Sequence, residues 1–341
     1  MDALYLQYCP ASQPFYDRPR AGSPADMFQP HRGEPPPGWE RRADAEWVYY
    51  ARAGSALPPQ GWKVHVSATP ETAEQVLNET AAYCFDAGVP FKALRDRDAL
   101  VQRSSKYADR GASGKFVTVY PPEDGGFETV VRALHGRVGG LPGPYILSDL
   151  RWAEGPVFVR YGAFVSRQQT GPGGRTIECI EDPDGFLVED ERRPGFHPPP
   201  WAPVPAFLKP ALQAWAERRL RDFPYRVEAA LHFSNGGGVY RAVRLRDGAK
   251  ILLKEARPHC GLDGTARDAV HRLDREHAAL RALAGLPGIP AVDAYVQGVE
   301  HTFLGREFVD GRPLHDVVEE RNPLTNPASA WSPQAYARWA T

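Results

Sequence analysis

Trp62-Lys63-Val64-His65-Val66-Ser67 alternates apolar and polar residues without a break. Side chains of a strand repeat with period two, so Lys63, His65 and Ser67 share one face while Trp62, Val64 and Val66 turn to a core. A helix is expected to follow, with Thr69 as N-cap, Pro70 at the first helical position, and Glu71 and Glu74 in the first turn. Its inward stripe is Ala73, Val76, Leu77, Ala81 and Cys84, and Gly88 with Pro90 ends it. Further strands are predicted at 46–51, 115–120, 145–147, 157–165 and 176–180. Much of 10–60, rich in Pro, Gly, Arg and aromatics, is expected to wrap over the core.

At 341 residues the chain is long for one domain. The stiff stretch Arg-Arg-Pro-Gly-Phe-His-Pro-Pro-Pro-Trp-Ala-Pro-Val-Pro at 192–205 marks a boundary. Beyond it a helix is predicted at 206–222, then strands at 227–233, 239–245 and 249–255. A long helix follows at 265–284, with Ala269, Leu273, Leu280 and Leu283 inward. The expected division is 1–200, 201–315 and 316–341, in an α+β fold. The first unit is a mixed domain with an antiparallel sheet, and the second is an antiparallel sheet with one long helix.

The bulk numbers narrow the chemistry. A net charge of −1 gives no whole-molecule attraction to nucleic acid or a membrane, so an anion site must be a local cluster. No run of 18 apolar residues is present, and 1–10 lacks the features of a secretion signal. The four cysteines have no paired spacing. That argues against a disulfide framework or a zinc site and for the reducing cytoplasm.

The second unit has the order of a protein-kinase N-lobe. Asn235-Gly236-Gly237-Gly238 turns between two strands, Lys254 stands on the next, Glu276 lies in the helix, and Arg306-Glu307-Phe308-Val309 reads as a hinge strand. Gly236, Gly237 and Gly238 would close over phosphates, Lys254 would pair with them, and Glu276 would hold that lysine. A catalytic-loop Asp with its Asn, and an Asp-Phe-Gly, are missing. His271-Arg272-Leu273-Asp274 imitates the first but precedes Glu276 in the same helix. The expectation is a truncated kinase, inactive as it stands, with ATP and magnesium serving only the full-length protein.

In the first unit the polar candidates are cations. Lys63 and His65 share a strand face, Lys92 follows the helix-ending glycine, and Arg110 lies ten residues before Tyr120. Later come Arg151 and Arg160, the second of them mid-strand. Lys115, out of phase with Tyr120, is read as structural. No nucleophile elbow, carboxylate pair or metal-spaced cluster stands out, so no metal site is expected. Lys, Arg, His and Tyr together suit a dianionic substrate. Each residue alone is more often ordinary structure; their joint order gives the reading its weight.

Lys63-x-His65, Phe91-Lys92, and Arg110 with Tyr120 resemble the metal-free phosphothreonine lyases of bacterial type III effectors. The stretches 111–121, 143–149 and 160–164, with Ser234-Asn235-Gly236-Gly237-Gly238-Val239-Tyr240, are similar to class III lanthipeptide synthetases, which run lyase, kinase, cyclase. The resemblance implies elimination of phosphate from phosphoserine or phosphothreonine in a precursor peptide with a leader, giving dehydroalanine or dehydrobutyrine without a cofactor. It implies Lys92 as the base at Cα and His65 as the acid on the departing oxygen. Lys63, Arg110, Tyr120 and Arg160 or Arg151 would bind phosphate. A rival expectation is a leader-peptide-binding module with a degenerate lyase site.

Overall fold

The computed structural model describes residues 24–122, 125–174, 176–217 and 223–321. The first 23 residues, the end of the helix expected at 206–222 and most of the expected 316–341 tail lie outside them. The fold is α+β. In chain order the first body comprises α1 (Gln29–Arg32), β1 (Trp39–Ala43), β2 (Trp47–Arg52), β3 (Gln60–Val66), α2 (Ala73–Ala87), β4 (Phe91–Leu94) and α3 (Arg97–Ser104). It continues through β5 (Val117–Val119), α4 (Gly126–Val138), β6 (Leu150–Arg151), β7 (Val157–Ala163), β8 (Gln168–Thr170), β9 (Thr176–Glu181), β10 (Leu187–Glu189) and α5 (Lys209–Glu217).

Seven strands form one sheet in the order β1-β2-β4-β5-β3-β7-β6, antiparallel at every pairing. Val64 and Val66 of β3 pair with Val159 and Val157 of β7 and with Val119 and Val117 of β5. All are buried in the core, together with Val76, Leu77 and Cys84 of α2 and Val130, Val131 and Leu134 of α4. Alternation on β3 thus has the physical origin the sequence suggests. The other face of these strands carries Lys63, His65, Lys92 and Arg160. Strands β8, β9 and β10 make a separate small sheet ordered β10-β9-β8.

Several expectations need correction. Helix α2 starts at Ala73, because Thr69 and Thr72 first bond to one another in a turn. Gly88 does end it, in the left-handed conformation at φ 71°. Residues 145–147 form no strand; sheet pairing resumes at Leu150. The proline-rich stretch does not leave the first body: Phe196 and Leu208 lie in its core, with Phe207, Ala211 and Leu212 packed against it. The described part of the helix beyond that stretch, α5, therefore packs with the first body.

The second body contains β11 (Tyr225–Ser234), β12 (Gly237–Arg244), β13 (Lys250–Ala256), α6 (Ala269–Ala282), β14 (Val292–Gln297), β15 (Thr302–Glu307) and α7 (Leu314–Arg321). Its five strands are antiparallel in the order β11-β12-β13-β15-β14. Ala269 and Leu273 of α6 are buried against it; Leu283, expected inward, lies past the helix end and is exposed.

The β11–β12 turn is docked on the first body. Asn235, 1% exposed, takes the Lys106 carbonyl with its backbone N–H at 2.9 Å and the Ser105 carbonyl with its side chain at 3.0 Å. Arg257, also buried, binds Asn235 with one guanidinium nitrogen and the Tyr145 carbonyl with the other. The Leu262 N–H donates to the Ser104 carbonyl at 2.8 Å, and the Lys106 N–H to the Leu262 carbonyl. Gly236, Gly237 and Gly238 are buried in this arrangement.

Candidate active site

One register row explains how two reactive side chains meet. Lys92 on β4 and His65 on β3 both pair with Thr118 of β5, one from each side. Direct cross-strand partners share a face, so Lys92, Thr118 and His65 stand side by side. One register step further, Lys63 pairs with Arg160 of β7.

Above this patch lies a cavity of about 240 Å3 whose lining includes Lys63, His65, Lys92, Arg103, Lys115, Tyr120, Arg160 and Arg192. Glu178 is the one carboxylate among the described residues of that lining. Burial makes the concentration of cations consequential. Lys63 is 7% exposed; burial, and next the Arg160 guanidinium, push its ammonium well below the ordinary value. Its Nζ donates to the Ala163 carbonyl at 2.7 Å. Burial likewise lowers Lys115 to about 8, helped by Arg160 and Arg192 against the pull of Asp149. Lys92 is lowered to about 8 by burial, then by Arg103 and Arg192. Its Nζ stands 4.3 Å over the Trp47 ring.

His65 does not stand alone. Its Nδ1 lies 2.5 Å from Oδ2 of Asp149, whose other oxygen accepts from the Ser148 hydroxyl. Both partners are buried. Desolvation would raise Asp149, but His65 and Lys115 hold it well below the carboxylate range. Burial holds the imidazole below its ordinary value, with Lys115 and Lys63 adding to the effect and Asp149 opposing it. A neutral ring whose Nδ1–H donates a hydrogen bond to the Asp149 carboxylate leaves the Nε2 lone pair for the cavity. Arg160 is oriented in the same way: Asp190 takes both of its terminal nitrogens, and the Glu191 carbonyl one of them. Gly162 is required here, since a Cβ would fall 2.4 Å from the Arg160 guanidinium.

The structure gathers Lys63, His65, Lys92, Tyr120 and Arg160, and it does not place Arg110 or Arg151 with them. Arg110 sits 4.9 Å over the Phe233 ring and 3.9 Å from Glu255, at the junction of the two bodies. Arg151 pairs with Glu300 at 2.9 Å. Lys115, Arg103 and Arg192 line the cavity instead. The phase argument that set Lys115 aside assumes a strand beginning there, but pairing starts only at Val117. Gly114, at φ 83°, resets the chain direction just before Lys115.

Residues 27–218 match the family described as the RamC N-terminal domain. The chain belongs to that family. Every residue of the cavity lining falls inside the matched stretch of this RamC-type domain, as does α5. The chain is also 46% identical over 325 residues to a Streptomyces coelicolor protein named "Probable SapB synthase". That match takes in 94% of this chain and 35% of the synthase, so the chain spans about a third of the length of that curated relative.

Beyond the RamC-type domain, Lys254 of β13 and Glu276 of α6 make an ion pair at 2.7 Å. Glu307 ends β15, and its carboxylate accepts from the Ala291 N–H. Gly236 packs against Gly261 and Ala269, Gly237 against the Glu255 backbone and Gly238 against the Tyr240 ring. Sequence reasoning missed Asp149, Arg103 and Arg192. Only Asp149 carried a signal, through its place in the family-like stretch 143–149.

Proposed function

We propose that the chain eliminates phosphate from phosphoserine or phosphothreonine in a precursor peptide, as one step of lanthipeptide biosynthesis. The observation that carries this reading is the cation-lined cavity with Lys92 and His65 on either side of Thr118. Family membership and likeness to a SapB synthase support the biosynthetic theme.

Lys63, Lys115, Arg160 and Arg192 receive the phosphate dianion through charge-assisted contacts, with the Tyr120 hydroxyl a further donor. Lys92, whose neutral fraction is raised by burial and by Arg103 and Arg192, takes the Cα proton as its free amine. The electron pair left on Cα forms the Cα–Cβ double bond as the Cβ–O bond breaks. His65, protonated at Nε2 once the phosphate offsets the surrounding cations, gives that proton to the departing oxygen. Asp149 stabilises the imidazolium meanwhile, the part an aspartate plays behind a catalytic histidine elsewhere. The products are the dehydroamino acid and inorganic phosphate.

The groups facing the substrate are mainly nitrogen cations and hydroxyls, with Glu178 a single described carboxylate, a set that supports elimination without a metal. Lys254, Glu276 and the five-stranded sheet support an N-lobe that would bind ATP and magnesium in a longer protein. We place no phosphoryl transfer on the residues described. A phosphoserine peptide incubated with the chain alone, with EDTA and without nucleotide, should lose the mass of phosphoric acid. No loss would sink the proposal, and loss that depends on magnesium or zinc would sink its metal-free form. The leader-binding alternative predicts peptide binding with no change in mass.

A further inference from the structure

Arg160 borders two spaces. One is the cavity; the other is a groove of about 530 Å3 lined by two stretches of chain, one with Val188, Glu189 and Glu191 and the other with Phe196, Pro199 and Trp201. Its first wall is an unpaired sheet edge, because β10 is the outer strand of β10-β9-β8. The Asp190 N–H donates to the Glu178 carbonyl, and the Phe186 carbonyl accepts from Asp182. Ladder bonds alternate along an antiparallel strand, so Val188 also bonds inward, while Leu187 and Glu189 point their N–H and C=O groups away from β9. Its second wall, Pro198-Pro199-Pro200, has no N–H groups and cannot itself complete the ladder. The Trp201 indole N–H is buried with no hydrogen-bond partner among the described residues.

We propose that this groove holds the residues beside the phosphorylated one, added as an extra strand along β10, with a peptide carbonyl on the Trp201 indole. The inference rests on the elimination reading and adds to it where the rest of the peptide runs. Continuity at Arg160 sets the geometry: phosphate on one side of the guanidinium, flanking backbone on the other. Main-chain bonds to an edge strand recognise a peptide largely independent of its sequence. The apolar walls favour small or apolar flanking side chains, and the charges of the lining are mixed, Glu191 being paired with Arg193 at 3.0 Å.

The test uses the full chain with two substrates: a peptide of about ten uncharged residues containing one phosphoserine, and N-acetyl-phosphoserine amide. A fluorescent copy of the peptide with alanine at the phosphoserine position reports binding without chemistry. Glu189→Pro removes one outward N–H without touching the β9 ladder, and Trp201→Phe keeps the ring but removes the donor. Each should weaken binding of the alanine peptide and raise KM for the long substrate by about tenfold, leaving kcat/KM for the short one unchanged. Equal kcat/KM for long and short substrates in the parent, or unchanged affinity in both variants, overturns the groove. If both variants lose the alanine peptide while no substrate releases phosphate, the groove stands and the elimination reading falls. Trp201→Phe decides the matter should Glu189→Pro misfold.

Discussion

Lys92 and His65 are separated by a single strand, each in register with Thr118. Neighbouring strands lie about 4.8 Å apart, so their backbones stand roughly 10 Å from one another. In the proposed elimination, one phosphorylated residue would lie over Thr118 in that gap, its Cα toward β4 and its departing oxygen toward β3.

This division of labour has a kinetic signature. Lys92→Ala should abolish elimination whatever the leaving group, a loss on the order of 10²–10⁴-fold or more. His65→Ala should be equally damaging with phosphate but recover much of its rate on a substrate with a better leaving group at Cβ. Recovery in the Lys92 variant, with none in the His65 variant, would reverse the assignment.

The register row was half legible in the sequence. Alternation from Trp62 to Ser67 places Lys63 and His65 on one face, because a two-sided strand leaves no other pattern. That β3 and β4 would flank the same strand is set by pairings distant in sequence. The ten-residue spacing of Arg110 and Tyr120 misleads, because 109–116 turns back on itself before β5 begins and sends Arg110 toward Phe233 and Glu255. Helix α4 was not among the expected elements, although Phe127, Val130, Val131, Leu134 and Val138 recur at helical spacing and are all buried. No local pattern joins Asp149 to His65, 84 residues away.

Asp149→Asn should lower kcat by about 10²–10⁴-fold with little change in KM, since it keeps the hydrogen bond but stabilises an imidazolium poorly. The rate with a good leaving group should fall far less. Uniform loss with every leaving group, or a change confined to KM, would assign Asp149 to the fold alone.

Arg192→Ala should raise KM for a phosphopeptide roughly tenfold through loss of a charge-assisted contact. Arg110→Ala should leave KM within about twofold, because its guanidinium faces Phe233 and Glu255. The opposite ranking would return Arg110 to the phosphate site.

Lys92 also affects stability. Its value falls from 10.5 unfolded to about 8 in the fold. Between these values the unfolded chain binds more protons, so stability rises with pH through that window. Below it both states are charged, and the native state carries the full cost of burying the ammonium. Lys92→Met should therefore raise Tm by a few degrees, on the order of 1–2 kcal/mol, at pH 7. The gain should shrink toward pH 10. A gain that grows with pH would contradict this account.

The docked turn at Asn235 bears on how such chains can be recombined. Its partners are backbone carbonyls of the first body, supplied by Ser105, Lys106 and, through Arg257, Tyr145. Backbone groups are the same in any homologue, but their positions are fixed by α3 and by the stretch leading into β6. A second sheet grafted from a relative would therefore bring an anchor without its matching socket unless residues around 103–113 and 145 travelled with it. The natural seam for a chimera is thus a discontinuous one, cut through the contact surface instead of along the polypeptide.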